Sequence, residues 1–231
     1  MNRPVRRVGV LGGMGPEATL VFLGKFYALT RARREQDRPP LLLDMDPSVP
    51  DRNRAWENKD ASPGPALAAM GRRLASAGAN FCVLPCITAH GFAGDFETVT
   101  GLPLLHLPNL VAGALADRHI GSVGLLATRT TLEMQLFQDA FAHHGIEVIV
   151  PNASDQDALM QAIYAIKRGD EARAEVMAVA EHLIHSGAQA LLIGCTDLST
   201  LQLDKIGPCE CIDALDALAE RTLAEIGSAT C

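Results

Sequence analysis

Short apolar runs alternate along the chain with amphipathic stretches of ten or more residues. The apolar runs predict strands near residues 7–11, 41–45, 80–86, 102–107, 120–128, 147–150, 191–195 and 211–213. The amphipathic stretches predict helices from residue 16 and over residues 65–77, 109–117, 132–143, 155–167, 171–185 and 214–226. Strands that alternate with helices in this way favour βαβ units and parallel sheets.

The second half of the chain partly repeats the first. Leu74, Ala79 and Cys86 match Leu183, Ala188 and Cys195 at a constant offset of 109 residues, and residues 7–12 are echoed by residues 120–128 at an offset of 115. We therefore predict an α/β fold with two pseudo-symmetric lobes, each a mainly parallel sheet flanked by helices, and an active site in the cleft between them. The predicted N-terminal lobe covers residues 1–110 and is completed by the helix 214–231, and the C-terminal lobe covers 111–213.

A polar segment rich in proline and glycine interrupts the pattern between residues 46 and 65, and it carries Arg52, Arg54 and Trp56. A connection of about twenty residues is long for a compact domain. It predicts either a mobile lid or a disordered excursion, and its charges are expected to be solvated on a surface loop.

Composition narrows the class of protein. The 231 residues are 48% hydrophobic and 20% charged, which is typical of a folded globular chain. The formal charge of −7 argues against a nucleic-acid partner, because phosphate binding favours a basic surface. The start of the chain is too short and glycine-rich for a signal or membrane segment, so we expect a cytoplasmic protein with no membrane partner.

Six cysteines in a reducing compartment are expected to be thiols. Cys86 and Cys195 each follow an apolar run, where the carboxyl end of a strand is predicted and where ligands bind in parallel α/β folds. The other four have no predicted role beyond core or surface thiols: Cys82, Cys209, Cys211 and Cys231. The spacings C-x3-C-x3-H and C-x-C do not match standard zinc sites, so no metal is expected.

Two equivalent thiols suggest more than a single nucleophile. Inverting a carbon centre needs a base on one face and an acid on the other, and a thiolate and a thiol can exchange these roles. Thr88 and Thr196 could hydrogen-bond the thiolates or a substrate carboxylate, or could cap the next helix. His90 and Asp197 could tune the pair. The glycine turn around Met14 could hold a small carboxylate at a helix N-terminus, or could be a tight turn without a ligand.

Several separated motifs together resemble the aspartate/glutamate racemase family, which comprises cofactor-free, PLP-independent amino-acid racemases. The motifs lie in residues 8–19, 50–52, 85–90, 124–128, 163–169 and 194–196. The resemblance implies an isomerase with Cys86 and Cys195 as the catalytic acid and base, no cofactor, an acidic amino acid as substrate, and a homodimer. It also implies a substrate-binding role for Met14, Arg52, Thr88, Thr128, Lys167 and Thr196, with Arg52 and Lys167 holding the side-chain carboxylate.

Three departures from the family pattern leave alternatives open. Ile87 stands where the family usually has asparagine, Asp197 where glutamate is commoner, and Thr130 in place of a glycine. Loss of an amide donor beside the substrate could change specificity or activity. A related isomerase or decarboxylase of a small dicarboxylic acid, and a catalytically silent dicarboxylate-binding protein, are the alternatives to a racemase.

Overall fold

The structure, a computed structural model, describes residues 6–227. They divide into two compact units, one made of residues 6–107 with 215–227 and the other of residues 108–214. No helix in this described part of the chain combines the length and the apolar character that a membrane span requires.

The helices and strands alternate as the hydrophobic pattern predicts. In chain order they are β1 (Val8–Gly12), α1 (Pro16–Leu29), β2 (Leu41–Met45), α2 (Arg52–Trp56), α3 (Gly64–Ser76), β3 (Phe81–Val83), α4 (Phe96–Thr100), α5 (Leu107–Asp117), β4 (Ser122–Leu126), α6 (Arg129–Glu133), α7 (Leu136–Ala142), β5 (Glu147–Ile149), α8 (Ala153–Lys167), α9 (Arg173–His185), β6 (Ala190–Ile193), β7 (Lys205–Ile206), β8 (Cys209–Asp213) and α10 (Ala214–Ile226). Short 3₁₀ turns lie at Glu35–Asp37, Thr88–Phe92 and Leu198–Leu201.

Each unit is built on a mainly parallel sheet in which the first strand lies between the second and the third. The first sheet has the order β2-β1-β3, and the second begins with the same arrangement, β5-β4-β6, before β8 and β7 extend it. Only the short β7–β8 pair is antiparallel among the described strands. Every residue of β1 and β4 is buried, as expected for central strands covered on both faces.

The sequence repeat has a packing cause in the central strands. A Cβ added to Gly9 of β1 would lie 3.1–3.2 Å from side-chain atoms of Leu74, Ala79 and Cys82. A Cβ added to Gly124 of β4 would lie 2.9–3.1 Å from Leu183, Leu191 and Ala188, which are the same three positions 109 residues later. In both units the glycine lets the helix that precedes the third strand approach the central strand closely.

Two predicted elements are wrong. Residues 102–107 do not form a strand. Leu104 makes only an isolated parallel bridge with Cys82, and α5 already begins at Leu107. Pro103 has no N–H to donate to a ladder, and Pro108 fits the first turn of a helix, so the sequence there favours a short connection.

The predicted single helix over residues 132–143 is also two helices, α6 and α7. Gln135 adopts a left-handed conformation with φ of 54° between them. The break allows Phe137 to pack over Gly194, where an added Cβ would lie 2.9 Å from the phenyl ring.

Candidate active site

Cys86 lies just beyond the carboxyl end of β3, as the apolar run predicts. Its N–H donates to the Leu84 carbonyl over 2.8 Å, which closes a tight turn at the end of the strand. Cys86 is 7% exposed and belongs to an apolar cluster that also contains Met14 and Val49. The first unit therefore holds one predicted catalytic residue and one predicted substrate-binding residue in the same cluster.

The glycine turn that leads from β1 to α1 brings Met14 into that cluster. Gly13 has φ of 97°, and an added Cβ would lie 2.5 Å from the backbone of Asp46, so only glycine fits there. Its N–H donates to Thr19 Oγ1 over 3.1 Å, and this hydroxyl in turn donates to the Gly15 carbonyl. The Gly13 N–H is thus used within the turn.

The segment between residues 46 and 65 contains a short helix, α2. The Asp51 carboxylate caps this helix by accepting hydrogen bonds from the N–H groups of Asn53 and Arg54, at 2.8 and 3.1 Å. Arg52, the first residue of α2, is only 9% exposed. Its Nη1 donates to the Pro50 and Val49 carbonyls over 3.0 and 3.4 Å. The expectation of a solvated charge is therefore wrong for Arg52.

Two other side chains of α2, those of Arg54 and Trp56, are exposed to solvent. Arg54 is half-exposed and pairs with the Asp60 carboxylate at 2.8 Å, and Trp56 is 42% exposed. In contrast, α2 packs against the turn Thr88–Phe92, which begins two residues after Cys86. The predicted site residue Thr88, 6% exposed, lies at the start of this turn. The first unit therefore brings the backbone segments that carry Arg52, Cys86 and Thr88 to one place.

His90, in the same turn, is a buried neutral imidazole. Its Nε2 lies 3.3 Å from the Leu84 carbonyl, the same oxygen that accepts from Cys86. A carbonyl can only accept, so Nε2 carries the proton and Nδ1 is bare; Nδ1 has no hydrogen-bond partner among residues 6–227. Burial, and secondarily the neighbouring His106 ring 5.1 Å away, lowers the pKa of His90 to about 3. His90 is suited to fixing the turn that holds Cys86, and not to proton transfer near neutral pH.

Cys195 occupies the equivalent position in the second unit, just beyond the carboxyl end of β6. The strand end is fixed by Gly194, whose N–H donates to the Leu126 carbonyl of β4 over 2.9 Å. Cys195 is 5% exposed, and its thiol donates to Asp197 Oδ2 over 3.7 Å. Lys167 Nζ, from the last turn of α8, lies 2.6 Å from the same carboxylate oxygen. A thiol, a carboxylate and an ammonium are thus joined in a buried chain, with Thr196, 2% exposed, between the first two in sequence.

Thr128 lies at the carboxyl end of β4 and caps α6. Its hydroxyl oxygen accepts from the Thr131 N–H over 3.2 Å and lies 3.0 Å from the Thr131 hydroxyl. Gln156 of α8 contacts the residue before Thr128: its Nε2 donates to the Ala127 carbonyl over 3.1 Å. The helix α8 therefore reaches the end of β4 through Gln156 and the end of β6 through Lys167.

Gln156 was not predicted from the sequence as a site residue. It is 5% exposed and shares the buried face of α8 with Leu159, Ala162 and Ile163. A polar residue in phase with an apolar helix face is the signal that could have identified it.

The remaining described cysteines are core thiols. Burial raises the pKa of Cys82 to about 12. Burial first, and then Cys209 and the nearby acids, raise the pKa of Cys211 to about 11. The Cys209 thiol donates to the Ala188 carbonyl over 3.3 Å. Cys231 lies outside the described residues. Within residues 6–227, no group of three or more His, Cys, Asp or Glu side chains could hold a metal ion.

Comparison with known proteins identifies the family. The Asp/Glu/Hydantoin racemase family model matches residues 11–222. The chain is 27% identical over 225 residues to the broad specificity amino-acid racemase RacX of Bacillus subtilis, covering 94% of this chain and 96% of RacX. It is 28% identical to the aspartate racemase of Picrophilus torridus, with a TM-score of 0.87 and coverage of 96% and 94%.

A more distant solved structure shares the fold. The glutamate racemase isoform RacE1 of Bacillus anthracis is 15% identical, with a TM-score of 0.73 and coverage of 97% of this chain and 83% of RacE1. The predicted α/β class with parallel sheets flanked by helices is confirmed, and so is the predicted enzyme class, an isomerase. The chain belongs to the Asp/Glu/hydantoin racemase family.

Proposed function

We propose that this racemase interconverts the L and D forms of aspartate, glutamate or both, by proton transfer between two cysteines and the α-carbon. The observation that carries the proposal is the equivalence of Cys86 and Cys195. Each thiol follows the third strand of a parallel sheet, in two units whose first three strands have the same order. Such equivalence supports two groups of one chemical type that exchange the roles of acid and base.

In the proposed reaction one cysteine acts as a thiolate and removes the α-proton, while the other donates its thiol proton to the opposite face. One C–H bond breaks and one forms, and the two sulfurs exchange protonation states, so no cofactor is required. The opposite enantiomer reacts with the roles reversed.

Substrate binding in this proposal uses cations that are mostly shielded from water. The Arg52 guanidinium suits a side-chain carboxylate because it can donate two parallel hydrogen bonds, and Lys167 supplies a second positive charge. Met14, Thr88, Thr128 and Thr196 complete the proposed substrate-binding set. The burial of Arg52, at 9% exposure, supports this role, because a shielded guanidinium binds an anion more strongly than a solvated one.

A substrate range wider than the two acidic amino acids is the second candidate. It is favoured by Ile87, an apolar residue directly after Cys86 at a position where the family usually has asparagine. The similarity to RacX, a protein named for broad specificity, favours it as well. Apolar amino acids such as L-leucine and L-methionine should therefore be tested beside the acidic ones.

The deciding experiment is incubation with L-aspartate and L-glutamate in D2O, with α-proton exchange followed by NMR and optical rotation measured in parallel. We expect both exchange and loss of rotation for at least one of the two. Rotation lost only with other amino acids would establish the broader racemase. Binding measured by thermal stabilisation, without any exchange, would instead establish the silent dicarboxylate-binding protein. Formation of a decarboxylated or rearranged product would establish the related lyase or isomerase.

Three serine variants test the two-thiol mechanism. Cys86→Ser and Cys195→Ser are each expected to abolish racemisation, because an alcohol is a far weaker acid than a thiol and hardly forms its deprotonated, basic form near neutral pH. Cys209→Ser is the matched control, since a hydroxyl can keep the hydrogen bond to the Ala188 carbonyl, and it should retain full activity. Full turnover by either of the first two variants would contradict the mechanism.

We also propose a homodimer, as the family resemblance implies, and a cytoplasmic location. Sedimentation equilibrium of the purified protein and fractionation of the source cells test these two points separately.

A further inference from the structure

Asp197 receives two different donors on one oxygen atom. The Cys195 thiol donates to Oδ2 over 3.7 Å, and Lys167 Nζ contacts the same Oδ2 at 2.6 Å. The Asp197 side chain is 7% exposed and that of Lys167 is 20% exposed, so water screens the group only weakly. The ammonium of Lys167 therefore changes the electrostatic effect of the Asp197 carboxylate on the Cys195 thiol.

The contact has a defined effect on the protonation of the thiol. A sulfur can donate to a carboxylate only while it carries its proton, so the hydrogen bond stabilises the thiol. A negative charge close to the sulfur also disfavours the thiolate. The ammonium of Lys167 acts in the opposite direction, because it neutralises the carboxylate and stabilises nearby negative charge.

We propose that Asp197 is a positioning residue that keeps Cys195 in the thiol form in the ligand-free enzyme, and that Lys167 limits the strength of this effect. The inference rests on the proposed two-cysteine function. It implies that the ligand-free enzyme favours the direction of reaction in which Cys195 is the acid and Cys86 is the base, while the opposite enantiomer still requires the reversed roles. The two roles that the sequence leaves interchangeable would thus be unequal before any substrate binds.

Other titratable groups near Cys195 belong to neighbouring elements of the second unit. Asp213 ends the adjacent strand β8 and accepts a hydrogen bond from Ser199 Oγ at 2.7 Å. Tyr164 lies one turn before Lys167 on α8. Both are unchanged in the variants below.

The test is a thiolate titration that requires no substrate. The ultraviolet absorbance of thiolate is followed against pH in each protein, and the Cys195 contribution is the difference from the same protein carrying Cys195→Ser. Asp197→Asn should increase the fraction of Cys195 thiolate at neutral pH by about tenfold, because the acceptor charge is gone and Lys167 remains. Lys167→Met should decrease it, because the carboxylate is left without its cation.

Two further variants separate this effect from a general structural one. Asp197→Glu should titrate close to the unmodified protein, because it restores the charge. Asp170→Asn removes a charge that pairs with Arg168 on the exposed surface near the end of α8, and it should not move the titration. A merely structural role would destabilise the protein without shifting the titration in opposite directions.

The proposal is overturned if Asp197→Asn and Lys167→Met leave the Cys195 titration unchanged or shift it in the same direction. This outcome is independent of the racemase proposal. Absence of α-proton exchange with every amino acid tested would overturn the racemase proposal alone, while the titration is measured on the ligand-free protein.

Discussion

Arg52 and Arg54 are two arginines of one short helix in different environments. Arg52 is buried and donates to the Pro50 carbonyl, whereas Arg54 is half-exposed and pairs with Asp60. Because they differ in this way, Arg54 is a control within the same helix for the proposal that Arg52 binds the side-chain carboxylate of the substrate.

Replacing Arg52 by lysine should raise KM for aspartate or glutamate and reduce kcat/KM by about tenfold, which corresponds to about 1.4 kcal/mol. An ammonium cannot hold a carboxylate through two parallel hydrogen bonds. Steady-state racemisation kinetics measure the effect. Arg54→Lys is the control and should behave like the unmodified enzyme, so equal kinetics for both variants would remove Arg52 from the proposed site.

His90 makes the folded protein sensitive to acid. Its pKa is lowered to about 3 in the fold, mainly by burial, from an ordinary value of 6.5. Between these values the unfolded chain binds a proton that the folded chain does not. The free energy of unfolding is thus fully retained above pH 6.5, and it falls by about 1.4 kcal/mol per pH unit as the pH drops from 6.5 towards 3.

Urea unfolding of the unmodified protein and of His90→Gln at several pH values in this range measures the contribution. Glutamine can still donate to the Leu84 carbonyl but does not titrate. The difference in unfolding free energy between the two proteins should therefore shrink or change sign as the pH falls. A difference that stays constant with pH would show that His90 does not titrate as proposed.

The residues proposed to act were identifiable from the sequence to different degrees. Cys86 and Cys195 stand out because the repeat places them at equivalent strand ends. Lys167 is identified only through the resemblance of residues 163–169 to a family motif. The burial of Arg52 was not predictable, because it depends on α2 packing against the turn Thr88–Phe92, far along the chain. The helix phase of Gln156 indicates that it is buried, but its partner, the Ala127 carbonyl, is a tertiary contact that the sequence does not specify.

The element scale shows where the hydrophobic pattern suffices and where it fails. The pattern predicts α10 at residues 214–226 and α1 from Pro16, because long amphipathic runs with clear starts have few alternatives. It fails between α6 and α7, because the run of apolar residues continues through the break. The break at the left-handed Gln135 accompanies the packing of Phe137 against Gly194, a tertiary contact that residue order alone does not reveal.

The close packing of α9 on β4 predicts that Gly124 cannot be enlarged. A Cβ at this position would lie 2.9 Å from Leu183 and 3.0 Å from Leu191, inside normal contact distances. Gly124→Ala should therefore lower the free energy of unfolding by about 1–3 kcal/mol. Denaturant unfolding measures the change.

Gly113→Ala is the control for that substitution. Gly113 lies in α5, and an added Cβ would have no atom within 4 Å. Alanine is also the better helix former, so this variant should be as stable as the unmodified protein or slightly more stable. Equal destabilisation by the two variants would contradict the packing argument.

At the scale of the whole chain, the two units are not two consecutive halves of the sequence. The C-terminal helix α10 belongs with the N-terminal unit. The Arg6 N–H donates to the Ile226 carbonyl at 3.3 Å, and ion pairs of 2.6 Å join Arg6 to Glu225 and Lys25 to Asp216. The sequence repeat accounts for the first three strands of each unit. It does not account for β7, β8 and α10, which follow the second copy.

The position of α10 predicts which strands respond when its packing is weakened. Leu218 is fully buried, so Leu218→Ala should lower the free energy of unfolding by about 2–5 kcal/mol. Hydrogen exchange should show the loss of protection in β1 and β3 of the first unit, with β4 and β6 much less affected, although α10 follows β8 directly in the chain. Leu20→Ala is the control: it removes an equally large side chain that is 60% exposed on α1, and it should change the free energy of unfolding by less than about 0.5 kcal/mol.

Equal loss of protection in both sheets of the Leu218→Ala variant would mean that the two units unfold as one, and would contradict the assignment of α10 to the first unit alone.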